Sequence, residues 1–124
     1  MTIKAWTDTE NSACIALYFT MLDSAIAGKP YNKAAMIRNA RETNAEAYPG
    51  GFYGLLRNRS RGSIEAKLMN CSAAHRDLAP HAVTMERFGY RALPNYQRAL
   101  RDAMAEYLDA HTCETGKALI GLQS

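Results

Sequence analysis

No apolar run in this chain approaches the roughly 20 residues that span a bilayer, so a membrane-spanning helix is not expected. The opening MTIKAWTDTE carries no apolar secretory core, and a cytoplasmic location is the expectation. Cysteine is scarce. Cys14, Cys71 and Cys113 are odd in number and show no CxxC spacing, which argues against a disulfide framework or a zinc ribbon and for reduced thiols. Catalytic signatures are missing as well: there is no Walker-type loop, GxGxxG, HExxH, GxSxG or paired-carboxylate motif. A protein that is not an enzyme and holds no cofactor is therefore expected. Internal repeats and low-complexity tracts are also lacking.

The 124 residues are enough for one core and too few for two. Hydrophobic residues make up 48% and charged residues 22%, the balance of a folded globular domain. The formal charge is only +3, yet it is unevenly placed. Residues 57–76 hold Arg57, Arg59, Arg61, Lys67 and Arg76 against Glu65 alone, a local +4, so the rest of the chain nets −1. Such a concentration is the electrostatic footprint of an element that contacts phosphate.

The pattern predicts an all-α domain of four or five helices over residues 1–111, with a C-terminal tail over 112–124. Thr7-Asp8-Thr9-Glu10 has the form of a capping box, with Trp6 placed to staple the chain entry. Apolar residues from Cys14 to Ile26 follow at helical spacing until Gly28-Lys29-Pro30 stops the helix. Asn32 can cap a second helix reaching Ala40. Tyr48-Pro49-Gly50-Gly51 reads as a turn, and Phe52, Tyr53, Leu55 and Leu56 as a helical turn or one small hairpin.

Ser60 is a good N-cap for a third helix ending near Leu78, before Pro80. Ile64, Leu68, Cys71, His75 and Leu78 form its core stripe, while Gly62, Ala66, Met69 and Ala73 fall opposite, on a small outer face. Polar flanks hold Arg61, Glu65, Ser72 and Arg76 on one side and Ser63, Lys67 and Asn70 on the other. Pro94-Asn95 opens a fourth helix with Tyr96, Leu100, Ala103, Met104, Tyr107 and Leu108 as its apolar face.

A small outer face flanked by cations and amides suits a helix lying in the major groove, in a helix-turn-helix-like arrangement. Cys71 with His75, and His111 with Cys113, supply four metal-capable side chains, but their spacing and the core stripe favour a buried thiol beside a satisfied histidine, and no metal is expected. Trp6, Tyr18, Tyr96 and Tyr107 read as core aromatics. Tyr48, Phe52, Tyr53 and Tyr90 lie near turns, where packing is favoured over stacking on a base.

Trp6-Thr7-x-x-Glu10 before an apolar helix resembles the opening of Myb/SANT-like domains. More specifically, Arg59-Ser60-Arg61-Gly62-Ser63-Ile64-Glu65-x-Lys67, then Asn70-x-Ser72-Ala73, then Gly89-Tyr90-x-x-x-Pro94-Asn95-Tyr96-Gln97 resembles a bacterial N-terminal module. That module precedes HNH nuclease or other effector domains in restriction-type and mobile-element proteins. The resemblance covers about Tyr31 to Leu108 and implies a DNA-sensing role. It implies that Arg59, Ser60, Arg61, Ser63, Lys67 and Asn70 form the DNA-facing start of a helix, and that Asn95, Tyr96 and Gln97 begin a supporting or second contacting helix. No HNH-like segment follows, so a free-standing copy without nuclease activity is expected.

The expected function is non-catalytic duplex DNA binding, with phosphate contacts from Arg57, Arg59, Arg61, Lys67 and Arg76 and base contacts from Ser63 and Asn70. The alternative is a protein-interaction module of a phage or mobile element that blocks a host defence complex, anchored by Met69 or Tyr90. A third reading is a homodimer using the small face of the third helix.

Overall fold

The computed structural model describes residues 5–42 and 54–119, with side chains as far as His111. The expected turn at Tyr48–Gly51 and the aromatic pair Phe52 and Tyr53 lie outside the described residues. Among the described residues there are four α-helices and no strand.

Local chemistry sets most helix ends. Helix α1 spans Asp8–Ala27. At its start the Thr7 hydroxyl accepts from the Glu10 N–H at 3.1 Å and the Glu10 carboxylate accepts from the Thr7 N–H at 2.9 Å. Each group thus satisfies a donor that the first turn leaves unpaired. At the other end Gly28 takes a left-handed conformation (φ 71°), and the Lys29 N–H closes onto the Ser24 carbonyl at 2.8 Å. Helix α2 spans Lys33–Ala40, capped by the Asn32 side chain. Helix α3 spans Arg61–Leu78, capped by Ser60. A 3-10 turn at Met85–Phe88 interrupts the next connection, and α4 runs Arg98–Leu119.

Helices α1 and α3 lie side by side and parallel. Glu10 meets Arg59, the Cys14 thiol lies beside Cys71, and Tyr18 meets His75, so the residue numbers rise together along both. After α3 the chain must return along it before α4 can start. Residues 79–97 make that return: the Met85 N–H reaches the Tyr18 hydroxyl, and the Leu93 N–H donates to the Met69 carbonyl at 3.0 Å. Ile15, Leu17, Tyr18, Phe19, Leu22, Ile37, Ile64, Leu68, Leu100 and Met104 fill the space enclosed. Each such side chain removed from water contributes about 1.5–3 kcal/mol.

This return corrects the expected orientation of α3. Cys71, Ser72, Ala73, Ala74 and His75 are all fully buried, which is more than one helical turn and leaves no outward side there. Ala73 is therefore interior, and Met69 lies under the returning strap. Small side chains on that face admit a chain segment of this protein.

Two further expectations change. The fourth helix starts at Arg98, so Asn95, Tyr96 and Gln97 precede it, and the Gln97 carbonyl accepts from the Leu100 and Arg101 N–H groups. Its backbone continues to Leu119, past the position where a tail was expected. The short inter-helix connection is 28–32, between α1 and α2. Residues 41–60 separate α2 from α3, so the basic helix does not follow a tight turn.

Candidate nucleic-acid interface

Arg59 sits just before the α3 cap and turns inward. Its Nε and Nη2 donate to the two Glu10 carboxylate oxygens at 3.0 and 2.7 Å, and Nη2 also donates to the Ala5 carbonyl at 2.7 Å. The guanidinium lies 4.8 Å from the centre of the Trp6 ring. Hydrogen bonding from Arg59 holds the Glu10 carboxyl below the usual carboxylate range, against the opposing effect of burial. Geometry of this kind is bidentate and shielded from water, so Arg59 is a latch between α1 and α3.

Lys67 is also interior, only 6% exposed, with its ammonium 4.7 Å from the centre of the same indole. Burial lowers its pKa. Trp6 therefore lies against two cations, and its role extends beyond stapling the first turn of its own helix. Asn70 donates to the Leu93 carbonyl at 2.9 Å and to the Asn95 side chain at 3.4 Å, fastening the strap to α3. Arg76 pairs with Asp77 (3.1 Å) and Glu86 (3.5 Å) near the far end of α3, about 22 Å along the axis from Arg61. The Tyr96 hydroxyl donates to Asp77.

Arg57, Ser60, Arg61 and Ser63 do share the exposed start of α3. Arg57 donates to the Gly54 carbonyl at 2.7 Å. The Ser60 hydroxyl accepts from the Ser63 N–H, and the Ser63 hydroxyl donates back to the Ser60 carbonyl. Arg61 is 61% exposed in its side chain and lies 3.4 Å from Glu65. The expected base readers and phosphate contacts thus divide, with Arg59, Lys67 and Asn70 engaged inside the protein and Arg57 and Arg61 facing out.

The structure adds three cations from α2 and its end to this surface. Arg41, at the end of α2, donates from Nε to the Arg59 carbonyl at 2.7 Å. Lys33, at the start of α2, lies 3.9 Å from Glu65, the carboxylate that Arg61 also approaches. Ile37 and Ala40 are buried, which leaves Arg38 and Arg41 on the outer face of α2. The one available signal was that helical register, read together with the +1 charge of residues 31–56. Glu65 is the carboxylate that Lys33 and Arg61 both approach.

Compared with protein families, curated proteins and solved structures, the chain matches none. The likeness to an effector-associated module therefore rests on its motif residues alone.

An open groove of about 570 Å³ between α1 and α4 is lined by Asp8, Asp102 and Glu106, which would repel a polyanion. Met69 and Tyr90, the expected anchors for a protein partner, are both partly covered, and among the described residues the exposed large apolar side chains are Ile26, Tyr31, Leu55 and Phe88. His75 is interior. Its Nδ1 lies 2.9 Å from the Tyr18 hydroxyl, which also accepts from the Met85 N–H, and its Nε2 has no partner among the described residues. Burial pushes its pKa down to about 4. No group of three metal-capable side chains gathers among the described residues.

Proposed function

We propose that this protein binds nucleic acid without catalysis, through phosphate contacts from Lys33, Arg38, Arg41, Arg57 and Arg61 around the start of α3. The observation that supports this best is the joining of two cationic segments distant in sequence. Arg41 bonds the backbone at Arg59, and Lys33 and Arg61 share Glu65, so α2 and the 57–61 segment form one surface. The exposed first turn of α3 adds unpaired N–H groups and the positive end of a helix dipole. With α3 covered by the strap, the surface is suited to holding a backbone rather than reading a major groove.

The test is fluorescence anisotropy of a labelled DNA oligonucleotide at two salt concentrations. Engagement of about four phosphates predicts a roughly 50- to 150-fold loss of affinity between 50 and 200 mM salt, from the release of condensed counterions. Arg41→Ala and Arg61→Ala should each weaken binding and lower the salt slope by about 0.7–0.9. Lys67→Met should leave affinity unchanged, because that ammonium lies inside the protein. Absence of binding at 50 mM salt, or equal effects of Lys67→Met and Arg61→Ala in folded protein, would overturn the reading.

A further inference from the structure

We infer that the DNA held at this surface is single-stranded, with an unstacked base resting on Tyr31. The inference rests on the phosphate-binding reading above and adds the class of strand. Tyr31 is an exposed aromatic at 38%, set between Lys29 and Lys33 in the sequence Lys29-Pro30-Tyr31-Asn32-Lys33. Cations two residues to either side of an aromatic supply the alternation of charge and ring that a single strand needs, because phosphates and bases alternate along it.

The loop that carries Tyr31 is fixed at both ends. Gly28 closes the end of α1 in a left-handed conformation, and Asn32 caps α2 through the Ala35 N–H at 3.0 Å. Pro30 fixes its own φ, so little loop freedom is lost when a base docks. Tyr31 is also two residues from Lys33, a member of the phosphate surface. Lys33 lies 5.5 Å from the centre of the Tyr90 ring and 3.9 Å from Glu65, which leads directly to Arg61.

A duplex would leave this arrangement unused. Its bases are stacked inside, so Tyr31 would have no ring to meet. The helix best placed by sequence to read a groove, α3, is buried all round over Cys71–His75 and overlain at Met69 and Asn70 by the Leu93 segment. A strand lying across α2 would instead meet Arg41 and Arg61 with its phosphates and Tyr31 with a base.

The experiment titrates the full chain into a labelled single strand of about 15 nucleotides, within the size range of such sites, and into the same sequence as duplex, at 50 mM salt. The single strand should bind more tightly. Tyr31→Ala should weaken single-strand binding roughly ten-fold and leave duplex binding unchanged, while Tyr31→Phe, which keeps the ring, should retain wild-type affinity. Circular dichroism confirms that the variants are folded. Duplex binding as tight as single-strand binding, with Tyr31→Ala silent on both, would overturn the inference and leave the phosphate surface standing. Binding to neither form would overturn both.

Discussion

Arg59→Ala distinguishes a latch from a DNA contact. In the folded protein the Arg59 and Glu10 side chains are 11% and 8% exposed and share two hydrogen bonds. Removing one partner of a buried ion pair costs about 3–5 kcal/mol, because the other charge stays desolvated. Here Glu10 keeps the Thr7 N–H at 2.9 Å, so the expected loss is smaller, about 2–4 kcal/mol. Near 4 °C per kcal/mol for a chain of this length, the midpoint of thermal unfolding should fall by about 8–16 °C. The loss should also depend on pH. A carboxyl whose folded pKa is lowered gives stability that is present above its unfolded value and is lost as pH falls through the folded one. The gap between wild type and variant should therefore narrow on acidification below about 4.3. Urea unfolding at neutral and acid pH measures it, with the fluorescence of Trp6, the only tryptophan, as a local reporter. A neutral-pH loss under about 1 kcal/mol, or a loss equal at both pH values, would refute the latch.

Two other perturbations follow from local geometry. Gly54 has φ 77°, and a Cβ there would lie 2.9 Å from the Glu42 carbonyl oxygen, so Gly54→Ala should destabilise by about 2 kcal/mol or more in urea unfolding. Gly62 meets open space, and Gly62→Ala should stabilise by up to about 1 kcal/mol in the same assay. His75 has its pKa lowered from 6.5 to about 4, so the unfolded chain takes up a proton that the folded one refuses. Stability should accordingly fall by about 3 kcal/mol as pH drops from about 6.5 to 4. A pH series of urea unfolding would show that slope in wild type and its loss in His75→Leu.

The helices themselves were legible in the sequence because their ends are local chemistry. Thr7 with Glu10, Asn32 and Ser60 each cap a helix within three residues of the group they bond, and Gly28 supplies the left-handed stop. The stripe Ile64, Leu68, Cys71, His75 was legible for the same reason, since helical periodicity places those side chains on one face. The return of residues 79–97 along α3 was not legible, because nothing local tells a small outer face covered by the chain from one left open. That long-range packing put Ala73 inside and gave Asn70 the Leu93 carbonyl. The arginines show the same division. Sequence located the excess charge in residues 57–76, a property of composition. Only tertiary structure, by setting Glu10 and Trp6 beside Arg59 and Arg41 against its carbonyl, decided which cations hold the fold together and which face the solvent.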